Sequence, residues 1–180
     1  YSLDRDPDFV QMIVNPYNPF KRPAMLRFLY REPWRDDYPR ATPGQLGAGY
    51  DALSLLGRLL DDYPWARGAL LQFAMKQGYA SGPDVDVPPV YGSWGEGLDT
   101  HRPLADLFNA SVTIDRADLA HAFELICDVY ARHGGSTVVT VRFMARAEGL
   151  LAPARFAHNA VIDFDGPRSA RTADAYARVV

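Results

Sequence analysis

The sequence predicts an α+β fold, in which an antiparallel or mixed sheet is covered by helices, with ferredoxin-like elements and a helical insertion in the first half. Three observations lead there. The runs Thr137 to Phe143 and Asn159 to Asp165 alternate apolar and polar side chains, which is the period of a strand with one buried face. Leu119, Phe123, Ile126 and Tyr130 recur at helical spacing. The second half reads strand, helix, strand, strand, helix, which is half or more of a ferredoxin-like layer.

From the N-terminus, Asn15 to Pro23 is a loop, because its prolines fix φ and remove backbone donors. Ala24 to Tyr30 is aromatic and apolar, and its mixed pattern predicts a central strand covered on both sides. Arg31 to Arg40 is an irregular, charged connection. Thr42-Pro43 opens a helical region with a capping hydroxyl and a proline at the first helical position. Leu53, Leu56 and Leu60 form its apolar stripe, widened by Leu55 and Leu59. Asp62-Tyr63-Pro64 breaks that helix and starts a second, in which Trp65, Ala69, Phe73 and Gln77 are spaced by four up to Gly78. The pair is expected to form an insertion packed on the rest of the domain.

Ala80 to Pro103 shows no periodicity and holds Tyr91, Trp94 and His101 among glycines and prolines. A loop of that length is usually functional or disordered. Ser111 to Ile114 follows as a short strand, with Asp115 as a helix N-cap and Asp118 favourable in the first turn. The Leu119 to Tyr130 stripe then runs to a stop at Gly134-Gly135. After the two alternating strands, an amphipathic helix begins near Ser169 and reaches Val180 without a Gly, Asn or Pro stop signal. That ending, together with a start at Tyr1, leads us to expect a piece of a longer polypeptide in which residues 1–180 form a single domain.

At 180 residues, with 48% hydrophobic and 23% charged residues, the chain has the composition of one soluble globular domain. A net charge of −3 and a pI near 5.8 give no support for a nucleic-acid partner or an anionic membrane. No apolar run approaches the ~20 residues of a membrane span, and no start resembles a secretory signal. One cysteine, Cys127, leaves no internal disulfide and no multi-cysteine metal site. The expected localisation is cytoplasmic. His101, His121, His133 and His158 lack paired metal-ligand spacing, and Gly82 to Asp86 is too poor in ligands for a calcium loop. Neither a dinucleotide fingerprint nor a phosphate loop is present, and no nucleophile sits in an elbow or triad context.

The candidate functional residue is Arg142. On its strand Val139, Val141 and Phe143 project one way, and Val138, Thr140 and Arg142 the other. On the following strand Asn159, Val161, Asp163 and Asp165 share a face opposite Ala160, Ile162 and Phe164. A guanidinium on an inner strand needs partners for its donors. Arg142 is therefore either a surface or structural residue paired with Asp163 or Asp165, or part of a polar sheet face that lines a substrate cavity. In the second case Thr140 and Arg142 would offer a hydroxyl and a fixed fork of donors.

Arg142-Phe143, the spacer to Leu150-Leu151-Ala152-Pro153, and the next strand through Asp163 resemble the substrate (cap) domain of FAD-linked oxidases with the vanillyl-alcohol-oxidase fold. The nearest branches are the sugar-lactone and alditol oxidases and the sterol oxidases. In that branch a cap strand carries Glu-x-Arg or His-x-Arg, followed by a Leu-Ser-Pro-like turn and another strand. Here the corresponding residues are Thr140-Val141-Arg142 and Leu151-Ala152-Pro153. The resemblance covers about the last 70 residues, and the first part fits as a variable cap region.

The resemblance implies a flavoprotein oxidoreductase that oxidises a hydroxylated substrate (a polyol, sugar lactone or sterol-like alcohol) by hydride transfer to flavin. Arg142 would be catalytic, facing the isoalloxazine end of the flavin and polarising substrate. Thr140 and Asp163 or Asp165 would be substrate-binding. Thr140 stands where the family has an acid or histidine, so no proton-transfer role passes to it. Tyr91, Trp94 or Phe156 would shape the pocket. FAD would be bound mainly by a separate domain of the same polypeptide, absent from these residues, so the chain alone is expected to be inactive. The other class open to the sequence is a free-standing α+β small-ligand-binding or regulatory module without catalytic activity.

Overall fold

The computed structural model describes residues 9–17, 26–29, 33, 36–37, 62–78, 107–148 and 154–180. Their strands are β1 (Phe9–Val14), β2 (Leu26–Leu29), β3 (Leu107–Asp115), β4 (Val138–Ala145) and β5 (His158–Pro167). Their α-helices are α1 (Arg67–Gly78), α2 (Leu119–His133) and α3 (Ala170–Val179), with 3-10 turns at Pro64–Ala66 and Arg116–Asp118. The strands form one sheet in the order β2-β1-β4-β5-β3. Every pairing in it is antiparallel, so the α+β expectation resolves to an antiparallel sheet.

β3 and β4 are both antiparallel to β5, which lies between them. They therefore run parallel to each other, joined through α2. This is the split βαβ arrangement of a ferredoxin-like layer. The N-terminal strand β1 extends the sheet on the far side of β4, with Met12 opposite Val141 and Val14 opposite Val139. Nothing in the reading of the sequence marked Phe9–Val14 as a strand. Its run Phe-Val-Gln-Met-Ile-Val is apolar on both faces, which hides the period of two. Residues 26–29 do form a strand, but at the end of the described sheet rather than its centre. Their apolar character misled on position because edge and centre differ by pairing, not by composition.

The period of two on β4 and β5 sets which side the helices cover. Val139 faces Phe164, Val141 faces Ile162 and Phe143 faces Ala160 across the pair. Ile126 and Tyr130 of α2 and Ala175 of α3 close over this surface. Phe164 stacks on Tyr130 at 6.5 Å and meets Tyr176 edge-on at 5.3 Å, geometries that add to plain burial. The Tyr130 hydroxyl is satisfied by a hydrogen bond with Thr137 Oγ1.

The helix ends follow their sequence signals. Asp115 accepts from Ala117 N at 3.0 Å, so it caps the 3-10 turn that leads into α2. Ser169 Oγ accepts from Thr172 N at 3.1 Å and caps α3. α2 stops at Gly134, whose φ of 79° is the left-handed conformation that favours glycine. Its N–H donates to Tyr130 O at 2.9 Å.

The second predicted helix exists, but it buries a different face. Leu71 and Arg67 are buried, whereas Trp65 is 85% exposed and Phe73 56%. The spacing by four was genuine and pointed outward. Asn15 holds the start of α1 to the end of β1, donating to Gly68 O at 2.8 Å and accepting from Tyr17 N at 3.1 Å. Tyr17 then donates to Gly135 O at 2.6 Å, and burial pushes its phenol up to about 12. The helix predicted from Thr42, the irregular stretch from Ala80 to Pro103, and the motif Leu150 to Pro153 lie outside the described residues. No helix among the described residues is long and apolar enough to cross a membrane.

Gly166, next to Asp165, marks where β5 runs tight under the segment entering β4. A Cβ there would lie 2.4 Å from Ser136 O and 2.8 Å from the Thr137 Cα. Backbone cannot yield as a flexible side chain can. Gly166→Ala is therefore expected to cost about 1–3 kcal/mol, the range for overpacking, read as a lowered urea midpoint with unchanged slope. An unchanged midpoint would mean that the two segments separate freely.

Candidate functional site

The face of the sheet opposite α2 and α3 is polar at its centre, and its residues come from separate strands at fixed register. Thr140 of β4 lies opposite Asp163 of β5, which on its other side lies opposite Ser111 of β3. One step along, Val138, Asp165 and Asn109 form the next row. On the other side of the Thr140 row, Gln11, Arg142, Val161 and Thr113 align. The residues singled out from the sequence, Thr140, Arg142, Asp163 and Asp165, all fall on this one face.

The hydrogen bonds choose between the two aspartates. Arg142 donates from Nε to Asp163 Oδ2 at 2.7 Å and places Nη2 2.5 Å from Oδ1. This is a two-point contact that fixes the plane of the guanidinium. Ser111 Oγ adds a hydrogen bond to Oδ1 at 2.5 Å. Asp163 is buried at 2% exposure, whereas the Arg142 side chain keeps 39%. The carboxylate thus acts as an anchor, and the arginine reaches outward from it. Thr140 is buried beside them.

Asp165 sits differently. Asn109 Nδ2 donates to its Oδ1, and its partner across β4 is the buried, apolar Val138. Burial pushes its carboxyl above the usual range, with a smaller push from the Asp163 charge; the Asn109 hydrogen bond and Arg142 act in the opposite direction. Burial without a contacting cation disfavours the charged form. Two carboxyls on one strand face thereby acquire different environments, one held by an arginine and the other by an amide.

The sequence reading missed Asn109 and Ser111. The signal was present: Asn109, Ser111, Thr113 and Asp115 alternate with Phe108, Ala110, Val112 and Ile114. A strand taken from Leu107 rather than Ser111 would have exposed it. Of the aromatics expected around a pocket, Phe156 is 41% exposed beside Asn159, to whose Oδ1 its N–H donates at 2.9 Å. Tyr91 and Trp94 lie outside the described residues. Among the described residues no group of His, Cys, Asp or Glu could hold a metal ion.

Comparison with protein-family models, with curated proteins and with solved structures found no match. Chemically, the described face can orient a small oxygen-bearing ligand through a guanidinium, hydroxyls, an amide and a carboxyl.

Asp165 gives the fold a pH signature. Its folded pKa lies above the ordinary value of 3.8, so the folded chain binds the proton more tightly than the unfolded one. Stability from this group is full below 3.8 and declines as pH rises through the raised value. Asp165→Asn, which keeps an oxygen for Asn109, should remove that decline and raise Tm at neutral pH relative to the parent. Thermal melts across the acid range decide this; parallel pH profiles would show that Asp165 is not perturbed.

Proposed function

We propose that this chain is the substrate (cap) domain of a FAD-dependent oxidoreductase that oxidises a hydroxylated substrate: a polyol, a sugar lactone or a sterol-like alcohol. The observation that carries the reading is a sheet with helices on one face and a clamped, half-exposed Arg142 on the other. A cap that roofs a reacting centre needs a rigid backing and a polar group reaching out from it; the helix-backed β4 and β5 and the half-exposed Arg142, anchored on the buried Asp163, support this reading. The two-point hold of Asp163 fixes Arg142 before any ligand arrives, so the guanidinium can meet a substrate oxygen without reorganising. Thr140, beside it, adds a hydroxyl that can donate or accept. Bound flavin would supply the hydride acceptor, held mainly by a separate domain of the same polypeptide. This chain's residues bind, orient and polarise the substrate.

The test uses the natural polypeptide that contains this chain. It should purify with a flavin absorbance spectrum and turn over at least one member of a panel of polyols, aldonolactones and sterols. Arg142→Lys keeps a cation beside Asp163 but loses the planar fork. It should retain flavin and the parent's Tm within a few degrees while kcat/KM falls on the order of 100-fold. A polypeptide without flavin would leave the small-ligand-binding module as the reading. Unaltered turnover in Arg142→Lys would return Arg142 to a purely structural role.

A further inference from the structure

β3 closes one side of the described sheet and has a strand neighbour only in β5. It is 9 residues long, which is about 30 Å of strand. In an antiparallel ladder half of its N–H and C=O groups point away from β5. Proteins ordinarily blunt such an edge with a lysine, a proline or a bulge. Leu107–Asp115 has no lysine, arginine or proline, and its register with β5 runs without a break. Its one charge is Asp115, at the end. Asn109 and Ser111 are exposed on it, although the carboxylates they bond, Asp165 and Asp163, are buried. The edge is straight, unguarded and open to pairing.

The strand that fits it is β3 itself. Turned about a two-fold axis normal to the sheet at Ser111, β3 lies antiparallel to its own copy. Phe108 then stands opposite the partner's Ile114, Ala110 opposite its Val112 and Asn109 opposite its Thr113. Apolar meets apolar on the side of α2 and α3, where Phe108, Val112 and Ile114 pack against the core. Polar meets polar on the other side. Alternation alone would allow other registers, and the ends of the strand choose this one. Beside Phe108 lies a hollow of about 580 Å³, lined also by Arg168, Ala170 and Ala173 at the start of α3. The axis at Ser111 brings the partner's Ile114 to its mouth.

Charge agrees with shape. Arg168 follows Pro167, which pairs with Leu107, and it is exposed with no ion pair among the described residues. The same axis sets the partner's Asp115 opposite Leu107. Asp118 follows in the 3-10 turn, exposed and without a capping bond. Arg168 and this acidic turn therefore meet at one end of the joined strands, about 10 Å apart as two strand spacings. Symmetry repeats the pair at the other end. Opposite charges across a strand pair favour the register that joins them. An unrelated extended peptide would satisfy the edge backbone but would not supply the acidic turn.

We infer that two copies of this chain associate edge to edge through β3, antiparallel about a two-fold axis at Ser111, so that their sheets become one. The interface is isologous, each copy offering the same patch to the other. The polar faces join across the axis, and the Ser111–Asp163–Arg142 network of one copy continues into that of its partner. The inference does not depend on the oxidoreductase reading, since it uses neither flavin nor substrate.

Sedimentation equilibrium of the natural polypeptide that contains this chain should give twice the monomer mass in the micromolar range. Thr113→Lys places an ammonium, the usual guard of an open edge, on β3. It should keep the parent's circular dichroism and sediment as a monomer. Ser111→Cys sets two thiols across the axis at a Cα separation of about 4.5–5.5 Å, within disulfide range. Oxidation should yield a covalent dimer whose cross-link maps by mass spectrometry to position 111 of both chains. Thr113→Cys, about 14 Å from its own copy in this register, should not cross-link. Arg168→Glu and Asp118→Arg should each weaken the dimer on the order of 10-fold, and the two together should restore it. A monomeric parent overturns the inference. So does a dimer that survives Thr113→Lys, or one that cross-links through position 113 and not 111. Should Thr113→Lys fail to fold, the cross-linking pair and the exposed charge swap decide.

Discussion

A carboxylate taken out of water has to find donors, and Asp163 finds them on both sides at once. Ser111 reaches it from β3 and Arg142 from β4, so one buried group ties together strands that never touch each other. Because β5 alternates strictly, placing Asp163 and Asp165 on this face requires Ile162 and Phe164 to face α2 and α3. A slip of one residue would drive carboxylates into the apolar layer and expose an aromatic ring. The ion pair and the aromatic core therefore enforce the same register from opposite sides. That agreement gives a sheet whose polar side is partly charged a single arrangement.

Much of this was legible in the sequence, for a definite reason. β4, β5 and α2 are elements with one wet and one dry face, and their periods of two and 3.6 show directly as alternation and stripe. The cap at Asp115, the helix start near Ser169 and the stop at Gly134 are local chemistry, so they too could be read in place. β1 and β2 were harder. Phe9–Val14 is apolar on both faces, and Leu26–Leu29 differs from a central strand only in what pairs beside it. Neither property is written in a short window. The outward stripe of Trp65 and Phe73 was visible as a period but carried no sign of which side was the inside.

The site shows the same boundary. That Thr140, Arg142, Asp163 and Asp165 share a face follows from alternation alone. Which aspartate holds the arginine does not, because it depends on the stagger between β4 and β5 and on what β3 contributes. Arg142 stands opposite Val161 and reaches diagonally to Asp163, and Ser111 completes the anchor from a strand whose start the sequence placed too late. Asp165, left to Asn109, takes its altered acidity from burial rather than from any motif.

The topology also has a consequence in time. β3 and β4 flank a gap that only β5 fills, and β5 pairs along its length with β3, Leu107 meeting Pro167. Contacts so far apart along the chain form late. Until β5 emerges from the ribosome, Ser111 and Arg142 have no carboxylate to meet, and the apolar faces of Val139 and Val141 have no Ile162 and Phe164 beside them. The strand that completes the polar face is thus also the strand that closes the core. A chain interrupted before residue 162 would lack both together.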